Sequence, residues 1–317
     1  MNRTDRVAVA SRSFSRHPVL RAELMSRYEI VTFNDAGLSL SGDALVTFLD
    51  GHAKAITALE KLDESVLSRL PGLKVVGKYG VGLDMIDLAA MSRLDKRLGW
   101  TGGVNRRSVA ELTICAAIAL LRHVPEANTL VRGGQWRQLM GRQLSERVVG
   151  IVGCGHVGKD LAILLRAFGC TVLAHDIKDF PDFYAAHGVR PVSLGELLAR
   201  ADIVTLHLPL DASTRGMMTA EKLASMREGA ILLNLARGGL VDEVALKHLL
   251  MSGHLAGAAF DVFAEEPPTD LELLRLPNML ALPHIGGSAE EAVLAMGRAA
   301  IAGLDAGRDP LDFAGQG

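Results

Sequence analysis

The stretch Val148-Val149-Gly150-Ile151-Val152-Gly153-Cys154-Gly155-His156-Val157-Gly158 decides how this chain folds. An apolar run rich in β-branched residues enters three glycines spaced G-x-G-x-x-G, and an amphipathic pattern from Lys159 to Phe168 follows. A second apolar run, Thr171 to Ala174, leads to Asp176, eighteen residues beyond Gly158. Strand, glycine turn, helix, strand and acid in that order predict a dinucleotide site. Gly153 permits the tight turn, Gly155 lets the backbone approach a pyrophosphate, and Gly158 lets helix and strand pack closely. The helix N-terminus then presents unpaired N–H groups and the positive end of its dipole to the phosphates. Asp176 can accept hydrogen bonds from ribose hydroxyls, whereas a 2′-phosphate beside it would meet like-charge repulsion. NAD is therefore favoured over NADP. Glycines at this spacing alone mark only a turn; the flanking strand, helix and acid make the signal specific.

Outward from this motif, short β-type runs alternate with helical patterns. They are Val7–Ala10, Glu29–Phe33, Ala55–Thr57, Lys74–Gly77, Val148–Val152, Thr171–Ala174, Ile203–Leu206, Ala230–Asn234 and Met279–Leu282. Such alternation predicts parallel sheets with helices on both faces. A nucleotide fingerprint opens its own domain, yet this one begins near the middle of the chain, so a whole α/β unit precedes it. The span Ser108 to Arg122 lacks glycine and proline and reads as a helix, placing the crossing between domains near Gly99 to Asn105. That helix is apolar on more than one face, through Ile114, Ala116, Ala117, Ile118, Leu120 and Leu121. Either it is buried within one subunit or it packs against another.

With 317 residues the chain suits two domains. A net charge of −2 gives no basic field, so neither nucleic acid nor an anionic membrane is indicated as a partner. The apolar stretch Ile114 to Leu121 is far below the roughly 18 residues of a membrane span. Met1 to Arg6 lead into Val7–Ala10 without a cleavable signal pattern. A soluble, cytoplasmic protein is expected. Cys115, Cys154 and Cys170 are odd in number and wrongly spaced for a disulfide framework or a zinc site, so no metal is expected. All three read as buried, inert thiols.

Three motifs follow the cofactor segment: Asn234-Leu235-Ala236-Arg237-Gly238-Gly239, Asp261-Val262-Phe263-Ala264-Glu265-Glu266-Pro267 and Pro283-His284-Ile285-Gly286-Gly287-Ser288. Each brings ionisable side chains to the end of a strand, where ligands of open α/β sheets bind. Arginine offers a planar fork to a carboxylate. Histidine exchanges a proton near neutral pH, and a neighbouring carboxylate fixes its tautomer and favours its charged form. Taken singly, each of these residues reads as an ordinary loop side chain; together an arginine, an acid and a histidine form a usable set.

On these motifs the chain resembles the D-isomer-specific 2-hydroxyacid dehydrogenases, and among them the phosphoglycerate dehydrogenase-like members. The likeness also runs through Lys78-Tyr79-Gly80-Val81-Gly82-Leu83-Asp84, Gly103-Val104-Asn105-Arg106-Arg107-Ser108-Val109-Ala110-Glu111 and His207-Leu208-Pro209-Leu210. The resemblance implies two doubly wound α/β domains. A Rossmann NAD-binding domain over 99–282 is inserted in a flavodoxin-like substrate domain made of 1–98 and 283–317. It implies that Arg237 binds the substrate carboxylate, that His284 is the general acid and base, and that Glu266 rather than Glu265 supports it. Cofactor contacts are implied for Gly153, Gly155, His156, Val157, Gly158, Asp176, His207, Pro209, Thr214, Asp261, His284 and Gly286, with Asp261 holding the nicotinamide carboxamide. Substrate contacts are implied for Lys78, Val81, Gly82, Arg237 and His284.

The implied activity is hydride exchange between NADH and a small anionic 2-oxo acid, with reduction of glyoxylate or hydroxypyruvate as the near alternative. An NADH-responsive, corepressor-like binding protein is the alternative of another class. A glutamine is expected in place of Glu266 in formate dehydrogenases of the superfamily. Thr57 stands where phosphate-recognising relatives carry arginine, which argues against a phosphorylated substrate, while Lys78 is a cation suited to a phosphate or carboxylate. With the sequence ending at Gly317, the regulatory domains of longer relatives are not expected. The family's use of the 108–122 region as an interface implies a homodimer.

Overall fold

The computed structural model describes residues 4–315; Met1 to Arg3, Gln316 and Gly317, on which the readings of the two chain ends partly rest, lie outside the described residues. The strands β1 (Val7–Val9), β2 (Val31–Phe33), β3 (Lys54–Thr57), β4 (Val75–Lys78) and β5 (Arg97–Gly99) form one sheet in the order β2-β1-β3-β4-β5. A second sheet contains β6 (Val148–Val152), β7 (Thr171–His175), β8 (Arg190–Pro191), β9 (Ile203–Leu206), β10 (Ala230–Asn234), β11 (Leu255–Phe260) and β12 (Met279–Ala281). Its order is β12-β11-β10-β9-β6-β7-β8. Every pairing within both sheets is parallel. Parallel strands are covered on both faces, which is why β1, β9 and β10 read as near-continuous apolar runs and are buried throughout.

The chain divides into two compact units, Met1–Asn105 with Glu290–Gly317, and Arg106–Ala289. The crossings thus fall after 105 and 289 rather than after 98 and 282, for physical reasons. Trp100 is held in the first unit, its Nε1 donating to the Val81 carbonyl at 3.1 Å and its ring meeting Phe313 edge-on at 5.4 Å. Ile285 and Gly286 stay in the second, because their amides donate to Asp261 at 2.7 and 2.6 Å. The helix Glu290–Gly303 returns to the first sheet so closely that a Cβ on Gly99 would lie 2.3 Å from the Gly303 Cα. That packing makes residues 106–289 an insertion.

Within the second unit the helix Arg106–Leu121 begins two residues before the expected Ser108. Its apolar faces pack against the helix His156–Ala167 and against β10 and β11, so they are covered by their own subunit. Cys115, expected to be buried, is exposed, because it lies on the strip of this helix turned away from those elements; Cys154 and Cys170 are buried. Arg107 forms a two-pronged pair with Asp160, at 2.8 and 2.9 Å. Arg107 is half exposed, so this pair contributes at most about 1 kcal/mol, whereas burying Leu161 and Leu165 contributes roughly 1.5–3 kcal/mol each. Apolar burial therefore holds the two helices together, and the ion pair aligns them. Among the described residues no single helix is long and apolar enough to cross a membrane.

Candidate active site

The order of the second sheet reverses around β6, with β9 on one side and β7 on the other, and the glycine turn leaves β6 at that switch. Gly153 has φ +96°, and a Cβ there would lie 2.3 Å from the His207 carbonyl oxygen. A Cβ on Gly158 would lie 2.1 Å from the Gly153 carbonyl oxygen, so any side chain would push the helix off the turn. Gly155 differs: a Cβ there meets nothing within 4 Å. It caps the helix that starts at His156, with no side chain on the helix's first amides. This is space in front of a helix N-terminus that a side chain would fill, and it fits a dinucleotide diphosphate.

Asp176 lies just beyond β7. Its Oδ2 accepts the Cys154 amide at 2.6 Å and its Oδ1 the Lys178 amide at 2.8 Å. The carboxylate therefore braces the glycine turn and keeps further lone pairs that could accept from a ribose. His156 is exposed, whereas Val157 packs against the core below the turn. Burial, reinforced by Asp176, pushes the Cys154 thiol up to about 11, so it is not a nucleophile at neutral pH. His207 shares a hydrogen bond with Thr205 Oγ1 at 2.9 Å, and desolvation pushes its imidazole down to about 3. It is a neutral ring at working pH. The Thr214 hydroxyl donates to the Pro209 carbonyl at 2.7 Å and accepts the Asp211 amide at 2.9 Å, closing the loop that follows β9.

Arg237, Glu266 and His284 stand on loops leaving β10, β11 and β12, which are neighbours in the sheet. The buried Asn234 side chain folds the first loop, its Nδ2 donating to the Arg237 carbonyl at 2.9 Å and its Oδ1 accepting the Ala236 amide at 3.2 Å. Gly238 then lies flat against the second loop, where a Cβ would fall 1.7 Å from the Phe263 carbonyl oxygen. Glu266 Oε1 accepts the Phe263 amide at 3.2 Å, and Glu243 Oε1 accepts the Ala264 amide at 2.8 Å. The other oxygen of Glu266 accepts from His284 Nδ1 at 2.8 Å, both side chains being partly exposed. This bond fixes the ring and turns Nε2 away from the carboxylate, free to serve a ligand. The structure gives Glu265 a different partner, the Thr269 hydroxyl at 3.3 Å.

Asp261 is 2% exposed and takes both the Ile285 and Gly286 amides. Burial pushes its carboxyl above the ordinary carboxylate value, although the two amides and His284 favour ionisation. The parts played by Asn234, Glu243 and Ser108, whose Oγ donates to the Gly286 carbonyl at 2.6 Å, were not read from the sequence.

In the first unit, Lys78 ends β4 beside Thr57 at the end of β3. Lys78 is buried, and its ammonium donates to the Ala58 carbonyl, so it is not a surface lysine. Glu60 accepts the amide of the same residue at 2.6 Å. Thr57 is buried too, and its Oγ1 has no hydrogen-bond partner among the described residues. Gly80 has φ +123°, a conformation open to glycine, and it leads into Val81 and Gly82.

Residues 114–286 match the NAD-binding domain of the D-isomer specific 2-hydroxyacid dehydrogenases, and the chain belongs to that family. It is 38% identical over 254 residues to the D-3-phosphoglycerate dehydrogenase of Bacillus subtilis (strain 168), covering 80% of this chain and 48% of the relative. The chain thus spans about half the length of the phosphoglycerate dehydrogenases it matches. A glyoxylate reductase from Paecilomyes thermophila superposes with a TM-score of 0.86 at 26% identity, covering 96% of this chain and 95% of that one. The TT0316 protein of Thermus thermophilus gives 0.83 at 34% identity, covering 97% of each.

Replacing Asp176 tests the cofactor side. Asp176→Ala removes a ribose acceptor, the repulsion of a 2′-phosphate and the brace on Cys154 together. The specificity constant for NADH is expected to fall roughly 10–10²-fold, the loss of a hydrogen bond to a charged group, while that for NADPH falls less or rises. An unchanged NADH to NADPH ratio would show that another residue discriminates.

Proposed function

We propose that the chain is an NAD-dependent D-2-hydroxyacid dehydrogenase acting on a small anionic 2-oxo acid and its hydroxy acid. The observation that carries this reading is the His284 Nδ1 to Glu266 Oε2 bond, on loops packed beside the Arg237 turn. The bound nicotinamide cofactor supplies or accepts the hydride. In reduction, the Arg237 fork holds the substrate carboxylate and polarises the neighbouring carbonyl. His284 Nε2–H gives its proton to the carbonyl oxygen as the C–H bond forms at the carbonyl carbon, and Glu266 stabilises the imidazolium beforehand. In oxidation the neutral ring takes the hydroxyl proton back. Gly153, Gly155, His156, Val157, Gly158 and Asp176 line the cofactor, while Lys78, Val81 and Gly82 contact the substrate.

Two features of the first unit bear on substrate choice. Lys78 supplies a buried cation, but Thr57 replaces a second one and Glu60 adds a negative charge close by. A phosphate of nearly two charges needs more compensation than one lysine offers, so an unphosphorylated acid of the glyoxylate or hydroxypyruvate kind fits better than a 3-phosphoglycerate-type one. The test is a panel of 2-oxo acids, phosphorylated and not, followed by loss of NADH absorbance. Turnover is expected with a small unphosphorylated acid. His284→Ala should lower it roughly 10²–10⁴-fold while NADH still binds. Absence of turnover with every acid would contradict the enzyme and favour an NADH-responsive binding protein.

We also propose a homodimer that works in the cytoplasm. The three cysteines are all free thiols, as in reducing compartments. The apolar surface lies in the segment after the helix Arg106–Leu121 rather than on that helix. The helix Val124–Arg132 buries none of its residues, and Trp136 and Met140 are 88% and 95% exposed. Side chains of this size gain most from a partner surface. Light scattering is expected to return twice the 33.8 kDa chain mass, and Trp136→Ser with Met140→Ser to return the single mass at micromolar concentration. A parent of single mass throughout that range would contradict the dimer.

A further inference from the structure

We propose that Asp261, assisted by Ser108, is a positioning residue that holds His284 in the backbone conformation aiming its ring at Glu266. This rests on the reading of His284 as the proton carrier. His284 has φ +57°, in the left-handed region that side chains other than glycine seldom enter. Such a conformation persists only where its surroundings over-determine it. Here they do so through the next two residues. Asp261 Oδ1 accepts the Ile285 amide and Oδ2 the Gly286 amide, at 2.7 and 2.6 Å, and Ser108 Oγ donates to the Gly286 carbonyl at 2.6 Å.

The anchor is itself anchored. The Asp261 amide donates to the carbonyl of Asn234 at 3.0 Å, and Asn234 is the residue whose side chain folds the Arg237 turn. Asp261 thereby ties the backbone carrying the proton donor to the backbone carrying the carboxylate-binding arginine. Gly286 is required for this closeness, because a Cβ there would lie 3.0 Å from Asp261 Oδ2. The residue type is required as well. A carboxylate offers two acceptor oxygens in one plane, whereas an asparagine in the same place turns an NH₂ toward one of the two amides. Each Asp261 oxygen accepts one backbone N–H and keeps a further lone pair, so work on the backbone is compatible with a cofactor contact at the same carboxylate.

The test uses Asp261→Asn and Ser108→Ala in the full chain, with four readouts. These are amide hydrogen exchange at Ile285 and Gly286, turnover of a 2-oxo acid with NADH, the pH dependence of that turnover, and the separate affinities for NADH and ADP-ribose. Asp261→Asn is expected to speed exchange at both amides and to lower kcat roughly 10–10²-fold through misplacement of the ring. As the His284 to Glu266 contact loosens, the high-pH fall in reduction rate moves to lower pH, a change that general loss of stability does not produce. Affinity for ADP-ribose, which lacks the nicotinamide, stays at the parental value. Ser108→Ala, which removes one neutral bond, lowers kcat about 2–10-fold in the same sense and carries the test if the Asp261 variant does not fold.

Unchanged exchange at Ile285 and Gly286 in these variants overturns the proposal whatever the substrate is. Faster exchange in a chain that reduces no 2-oxo acid supports the anchor and overturns only the functional reading above.

Discussion

Three neighbouring parallel strands, β10, β11 and β12, release their chains at the same end of one sheet, and the hydrogen bonds between those departing loops are what the site depends on. The pair His284–Glu266 is partly exposed, and an exposed ion pair of this kind contributes little by itself. Its geometry is set by groups that bind the loop backbone beneath it, of which Asn234 and Asp261 are buried. Asn234, Asp261, Ser108 and Glu243 satisfy backbone amides and carbonyls that the sheet no longer pairs. An unsatisfied buried polar group costs about 1–3 kcal/mol, so the network resists any rearrangement that would move the histidine. In the proposed function the exposed charged side chains act on the substrate, while the groups that bind the loop backbone beneath them decide where they stand.

The same division of labour holds at the glycine turn. Gly153 and Gly158 stand where other backbone occupies the place of a side chain, whereas the place of a side chain at Gly155 is open. Asp176 braces the turn through the Cys154 amide. Desolvation disfavours the charged form of the His207 imidazole nearby.

Much of this was legible in the sequence, and the exceptions have physical causes. Val148–Val152, Ile203–Leu206 and Ala230–Asn234 stand out as strands because they are apolar, mostly branched and flanked by turn residues. The strand Leu255–Phe260 does not, since Leu-Ala-Gly-Ala-Ala-Phe has no β-branched residue. Its small residues are needed where Leu120 of the helix Arg106–Leu121 packs 3.3 Å from the position of a Gly257 Cβ. The short strands Arg97–Gly99 and Arg190–Pro191 carry too few residues to show a period. Cys115 misleads because its neighbours in sequence are apolar while its direction on the helix is outward. That Arg237, Glu266 and His284 stand beyond the ends of strands could be read from their motifs; that those strands are neighbours and that His284 meets Glu266 at 2.8 Å are given by the fold. The part played by Asp261 could not be read there, because it follows from a single backbone angle at His284 and from amides brought to it across the sheet.

Whether Glu266 loads the proton onto His284, as proposed, is decided by a pair of pH–rate profiles, one in each direction, on the parent and Glu266→Gln. Reduction needs the charged ring and fails as pH rises; oxidation needs the neutral ring and fails as pH falls. Removing the carboxylate makes the imidazolium harder to form. Both limbs are therefore expected to move to lower pH. Profiles that stay in place in both directions would contradict the claim and separate Glu266 from the proton.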